Sequence, residues 1–101
     1  MPNIQQTTRF EEHDISESGV VGVVPVPRRP LVSVNIDATA TASYAVDVGP
    51  DRETWFENET TYDDTDTVRD MFEVGDAFIR IRVTDNAAAG ETADIIIQEA
   101  R

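Results

Sequence analysis

The side chains that most often carry catalysis are scarce in this chain. It has one histidine, His13, which stands between Glu12 and Asp14 in a polar segment, and it contains neither cysteine nor lysine. A thiol or amine nucleophile is therefore excluded, and a histidine base would need a partner group and a pocket. No serine, threonine or tyrosine stands in a recognisable nucleophile motif. We therefore expect a protein that is not an enzyme and that uses no cofactor.

The acidic segment between residues 63 and 70 is the one stretch that suggests a metal ion. An EF-hand loop needs acidic residues at its first positions, glycine at position 6 and glutamate at position 12. Asp64 and Asp66 fit the first spacing, but position 6 is Arg69, which brings a positive charge to the place of a cation. We interpret the segment as a solvated loop and predict no metal site. Its four aspartates remain weak candidates: Asp63, Asp64, Asp66 and Asp70.

Charge is the strongest feature of the composition. Twenty acidic residues face eight basic ones, all of them arginine, and the formal net charge is −12. Such acidity argues against nucleic acid and against anionic membranes as partners. Acidity without lysine also resembles proteins of salt-in halophiles, notably haloarchaea and their viruses. In molar salt the Debye length is ~3 Å, so the self-repulsion of a dense acidic surface nearly vanishes.

The C-terminal third alternates in the way that a half-buried strand requires. In residues 76–84 and again in residues 92–100, apolar side chains fall on every second position. The connecting residues 85–91 include Asp85, Asn86 and Gly90, which suit a turn. We expect these two strands to pair with each other as an antiparallel hairpin.

The middle of the chain predicts further strands. Residues 31–37 and 41–48 alternate, and Trp55 and Phe56 supply large anchors after a turn at residues 49–52. Residues 63–74 have partly helical spacing and predict a short helix or an irregular strand. We predict an all-β fold, an immunoglobulin-like or jelly-roll-like β-sandwich of six to eight short antiparallel strands. Its inward side chains should include Val34, Ile36, Val46, Ile79, Ile81, Val83 and Ile95.

The N-terminal 30 residues differ from the rest. The first part is polar, and prolines at positions 25, 27 and 30 follow an apolar run, so this run cannot lie in the centre of a sheet. We expect residues 1–30 to form an extended arm or connector and residues 31–101 to form the β-sandwich domain. The apolar run is either a short edge strand or an arm completed by a neighbouring subunit through strand addition. Its candidate interface residues are Val20, Val21, Val23 and Val24.

A second candidate interface lies on the outward face of the C-terminal strands. Phe78 and Arg80 point away from the predicted core, and Ile96 also needs a cover because its neighbours Ile95 and Ile97 point the other way. The arginines either pair with surface acids or, with Phe78 and Ile96, belong to a protein interface, where aromatic residues and arginine are enriched.

The order of these features resembles a family. Tyr44 and its strand, the Pro50-Asp51 turn, Trp55 and the aromatic-apolar-Arg pattern of residues 77–83 are similar to small immunoglobulin-like sandwich modules of tailed phages and archaeal viruses. With the halophilic composition, the resemblance implies a structural protein of a haloarchaeal tailed virus, such as a capsid decoration, turret or tail-associated component. Its expected partners are copies of itself and a virion protein such as the major capsid protein. It would be made in the host cytoplasm and located in the virion. The alternative is a carbohydrate- or protein-binding module.

Overall fold

The computed structural model describes residues 4–26 and 31–100, and these residues contain six β-strands and no helix. They form one antiparallel sheet in the order β1-β6-β3-β5-β2, with β4 paired to β3 outside this path. The prediction of an all-β, antiparallel fold is confirmed. The strands are β1 (Ile4–Asp14), β2 (Gly19–Pro25), β3 (Leu31–Gly49), β4 (Phe56–Phe72), β5 (Phe78–Asp85) and β6 (Thr92–Ala100).

The long strand β3 makes the sheet curl. Residues 31–38 of β3 pair with β6 and residues 43–49 pair with β5, while β4 pairs with both halves. At the corner β3 has four residues, 38–41, where β4 has only Asp66 between its paired positions. We call the two parts the β6 arm (β1, β6, residues 31–38 of β3 and 67–72 of β4) and the β5 arm (β2, β5, residues 42–49 of β3 and 56–65 of β4).

The core lies between the two arms. Every second side chain of β3, β5 and β6 points inward, and these side chains form one hydrophobic cluster that includes residues of both arms. The radius of gyration, 12.8 Å, agrees with the ~13 Å of a compact chain of this length. All seven side chains predicted to face inward are at most 2 % exposed: Val34, Ile36, Val46, Ile79, Ile81, Val83 and Ile95.

Within residues 4–26 the N-terminal part belongs to the sheet, which differs from the arm that the sequence predicted. β1 pairs with β6 and β2 pairs with β5. The acidic residues of β1 are compatible with a strand because an irregularity after Phe10 leaves both Glu11 and Glu12 exposed, with Glu12 at a φ of 48°. Phe10 itself packs against the core. Residues 1–3 and 27–30 of the expected arm lie outside the described residues.

The two ends of the strand path come together. The side-chain amide of Gln6 in β1 donates a hydrogen bond of 2.9 Å to the carbonyl of Pro25 in β2. A Cβ atom on Gly22 would lie 2.5 Å from two ring carbons of Phe10, so a larger residue at this position would displace the ring. The link between β1 and β2 is anchored by Ile15, which is fully buried.

The predicted C-terminal hairpin is wrong. In the described residues β5 and β6 do not pair with each other, and each pairs with a different half of β3. Their connection crosses from one arm to the other and is held by the N–H of Ala87, which donates to the carbonyl of Ile15 at 2.9 Å. The six-residue connection, residues 86–91, is long enough to leave the sheet, so turn-forming residues alone did not determine which strands pair.

Two local expectations also change. The segment that could have been a helix is strand up to Phe72, and Val68 is buried while Met71 is 51 % exposed, so the alternative of an irregular strand is the correct one. The two strands expected at 31–37 and 41–48 are a single strand that bends at the corner. Both differences arise because β3 and β4 must follow the same curvature as a pair.

Candidate interaction surfaces

A fully buried carboxylate lies on the outward face of the β5 arm. Val46 and Val48 point into the core, so Asp47 between them points out, yet it is 0 % exposed. Its oxygens accept hydrogen bonds from Arg80 Nε at 2.8 Å and from Arg82 Nε and Nη2 at 2.6 and 2.9 Å. The two arginine side chains, 15 % and 20 % exposed, therefore form a cover over the aspartate.

The strand pattern and one bulge build this cluster. Asp47 lies directly opposite Arg80 in the ladder, and Arg82 is two residues further along β5 on the same face. In β4, Asn58 adopts a φ of 60°, a left-handed conformation that asparagine tolerates better than most residues. Its N–H donates to Asp47 at 3.0 Å and its Oδ1 accepts from Arg82 Nη2 at 2.9 Å. Side chains and backbone of β3, β4 and β5 thus form one hydrogen-bonded layer of charged groups around Asp47.

The electrostatics of Asp47 follow from these contacts. Burial alone would raise the pKa of Asp47, but hydrogen bonds from Arg82, from the N–H of Asn58 and from Arg80 hold it below its ordinary value. The same hydrogen bond to Asp47 raises the pKa of Arg82. Asp47 is therefore ionised at neutral pH and acts as an acceptor, not as a proton donor.

Two aromatic rings extend this layer towards the surface. The guanidinium carbon of Arg80 lies 4.6 Å from the ring centre of Trp55, and that of Arg52 lies 4.8 Å from the ring centre of Phe78. Trp55 Nε1 donates to the carbonyl of Arg52 at 3.2 Å. We call these four side chains, Arg52, Trp55, Phe78 and Arg80, the arginine–aromatic surface. Tryptophan and arginine are the side chains most enriched at the energetic centres of protein interfaces.

The turn that carries Trp55 is itself fixed. Asp51 accepts hydrogen bonds from the N–H groups of Glu53 and Thr54 at 2.8 and 2.7 Å. These bonds lower the pKa of Asp51. A ring held in this way loses little further conformational entropy when a partner binds, which favours recognition.

The apolar edge strand β2 is the second candidate surface. Val24 is buried at 2 %, Val21 and Val23 are half-buried, and Val20 is 52 % exposed. These four valines, which the sequence predicted for an interface, lie together on one edge of the sheet. Phe78 and Arg80 lie together with Trp55 on the outward face of the β5 arm.

Ile96 lies apart from both groups. It is half-buried in β6, between Arg9 of β1 and Asn35 of β3, on the other arm of the sheet. The seven predicted interface residues are therefore divided among three places. Sequence analysis missed Asp47 altogether, because an aspartate on the outward side of a strand is normally solvated.

Within residues 63–70, Asp70 and Asp64 make contacts that fix the local structure. Asp70 accepts from Tyr62 Oη at 2.8 Å and from the N–H of Met71 at 2.9 Å, and burial together with the Asp70 contact raises the pKa of Tyr62. Asp64 has a φ of 46°, and its N–H donates to Ser43 Oγ at the corner. Arg69 Nη2 donates to both carboxylate oxygens of Asp37 at 2.9 Å. No group of three or more metal-binding side chains occurs in residues 4–26 and 31–100.

Comparisons with known proteins give no direct guide to this chain. No protein-family model, no curated protein and no solved structure matches it. In the part of the chain that the structure describes, no helix is long and apolar enough to cross a membrane.

Proposed function

We propose that this protein is a non-enzymatic structural protein that associates with copies of itself, as a component of the virion of a halophilic tailed virus. In this proposal the two arms serve as the two layers of an immunoglobulin-like or jelly-roll-like sandwich. The virion setting is supported by the resemblance of the Tyr44, Trp55 and residue 77–83 pattern and by the acidic, lysine-free composition. The capsid, turret or tail position and the contact with a major capsid protein belong to the same proposal.

The observation that carries self-association is the edge strand β2. Natural edge strands are usually protected by charged side chains, because an unprotected edge pairs with other chains. Residues 19–25 contain no charged residue, although the whole chain has a net charge of −12. An uncharged apolar edge in so acidic a protein is suited to assembly.

The oligomeric mass tests this proposal. The mass of the full chain is measured by multi-angle light scattering between micromolar and millimolar concentration, in about 2 M KCl, where surface charges are fully screened. We expect a mass that rises with concentration to a defined oligomer. A monomer at every concentration would refute self-association.

The alternative function, a protein- or carbohydrate-binding module, is favoured by the arginine–aromatic surface. Trp55 is half-buried, and Arg80 already stacks on its ring. This arrangement suits a flat protein partner better than a sugar ring, which would need to displace Arg80 to stack on that side. Titration with oligosaccharides, followed by the fluorescence of the single tryptophan, separates the two ligands. A saturable spectral change with a sugar would favour the carbohydrate module.

A further inference from the structure

We infer that two copies of this chain join their β2 strands edge to edge, antiparallel, around a twofold axis. This inference rests on the self-association proposed above and names the strand and the orientation through which it occurs. The two β5 arms then form one continuous sheet across the dimer.

The strand β2 has a ladder partner on one side only among the described strands, and that partner is β5. β1 approaches its other side through the Phe10 ring and the Gln6 side chain, without a ladder. Apart from the Pro25 carbonyl, which already accepts from Gln6, the second row of β2 backbone N–H and C=O groups has no ladder partner among the described strands. Pro25, which has no N–H, marks the end of that row.

The strand β2 also differs from the other strands in charge. Of the six described strands, β2 is the one without an acidic or basic side chain. By contrast, the other long edge, β4, carries six acidic residues and a single arginine. Two β4 edges would bring many like charges together, whereas two β2 edges bring together none. A second copy of an acidic chain therefore fits β2 better than it fits β4.

Opposite charges also pair with each other in the strands next to β2. Arg80 and Arg82 lie opposite Val23 and Val20 in the ladder, and both pair with the buried Asp47. The two arginines, Asp47 and the neighbouring Glu57 form a group of four side chains without net charge. The approach of two copies through this edge therefore brings fewer like charges together than an approach through β4.

The acids of β1 decide the orientation. They lie towards the Gly19 end of β2, because β1 ends at Asp14 and a four-residue link that contains Glu17 leads into β2. The other end of β2 is next to the uncharged Gln6, which bonds Pro25. Antiparallel pairing places the acidic Gly19 end of one copy against the Pro25 end of the other, where residues 25–30 include no acid, whereas parallel pairing places acids against acids. Antiparallel pairing of identical strands is also the isologous contact that a twofold axis gives.

Substitution at the exposed valine gives the first test. Val20→Glu places a charge on the edge, and Met71→Glu is a matched control because Met71 is 51 % exposed on β4 and Val20 is 52 % exposed. We expect Val20→Glu to shift the midpoint of dimer formation at least tenfold upward in concentration, and Met71→Glu to leave it unchanged. Val20→Lys repeats the test with the opposite sign, and circular dichroism verifies that each variant is folded.

Cysteine labelling gives the second test, because the native chain contains no cysteine. Under mild oxidation, single cysteines at Val21 or Val23 should form disulfide-linked dimers, and a cysteine at Met71 should not. Spin labels at Glu17→Cys should lie about 30 Å apart in an antiparallel dimer, since roughly ten residues at ~3.3 Å each separate them. Parallel pairing would hold them side by side, at about the 4.8 Å strand spacing plus the length of the labels.

The outcomes separate the two proposals. A chain that stays monomeric refutes both self-association and the β2 contact. An oligomer that Val20→Glu and Val20→Lys leave intact, and that β2 cysteines do not cross-link, refutes the β2 contact alone. A dimer with closely spaced Glu17 labels refutes the antiparallel orientation.

Discussion

Replacing Asp47 by asparagine should reveal how much the covered charge layer stabilises the fold. Asp47 is fully buried and accepts four hydrogen bonds, three from arginine and one from the N–H of Asn58. Asp47→Asn keeps the shape but removes the negative charge and points an amide donor towards Arg80 or Arg82. Both arginines would then remain largely covered by protein without the carboxylate that they share, and Glu57 would remain as a counter-ion for Arg80 alone.

The expected cost is about 3 kcal/mol. Removing one partner of a buried ion pair typically costs about 3–5 kcal/mol. The lower end applies because the arginine side chains are 15 % and 20 % exposed and Arg80 keeps a contact of 3.2 Å with Glu57. Asp37→Asn is the matched control, since Asp37 also pairs with an arginine, Arg69, but both are more than half exposed. That exposed pair is worth roughly 0–1 kcal/mol.

Urea unfolding at constant molar KCl measures the difference, followed by circular dichroism and by the fluorescence of Trp55, which stacks on Arg80. We expect Asp47→Asn to lower the midpoint strongly at an unchanged m-value, which marks a change of stability alone. If Asp47→Asn and Asp37→Asn lowered the free energy of unfolding equally, the covered layer would contribute no more than a surface pair, and the reasoning would be refuted.

Four further predictions follow from the described contacts. The pKa of Asp47 is lower in the folded chain than its unfolded value of about 3.9, so the stability that ionised Asp47 contributes is complete well above pH 3.9 and is lost as the pH falls through the folded pKa. The difference in free energy of unfolding between wild type and Asp47→Asn should therefore shrink over that acidic window. A difference that does not depend on pH would contradict this. Tyr44→Phe removes a buried hydroxyl that has no hydrogen-bond partner in the described residues, so the free energy of unfolding should be unchanged or rise by up to about 1–3 kcal/mol. A clear decrease of that free energy in urea titrations would show that the hydroxyl is paired. Gly22→Ala forces a Cβ against the Phe10 ring and should lower the free energy of unfolding by about 1–3 kcal/mol. Gly75→Ala is the control, because Gly75 has open space and no positive φ, and it should be neutral or slightly stabilising. Equal urea midpoints for the two variants would show that the ring moves aside freely. Finally, the melting temperature should rise between about 0.05 and 2 M KCl, because salt screens the repulsion within a chain of net charge −12. Equal melting temperatures would show that the acidic composition is not an adaptation to salt.

Alternation along each strand was readable from the sequence because it is a local property of the pleated backbone. It identified the inward side chains of β3, β5 and β6, including Ile36, Ile81 and Ile95, before any pairing was known. The scarcity of catalytic side chains and the acidic balance were equally available from composition.

Pairing was decided only by the tertiary structure. Residues 85–91 have turn-forming side chains, yet β5 and β6 separate because β3 is long enough to pair with both of them along one edge. Likewise, β1 joins the sheet although it carries acids, since the irregularity at Glu12 keeps them exposed. Such choices depend on contacts between residues far apart in the chain, which a local pattern does not contain.

The candidate surfaces show the same division. The sequence identified the uncharged valines of β2 and the outward Arg80, because composition and alternation are visible along the chain. It did not identify Asp47 as buried, since its cover comes from Arg80 and Arg82, more than thirty residues away, and from Asn58 at a bulge. A carboxylate leaves water only where several strands supply its hydrogen bonds together, and the fold alone brings those strands to one place.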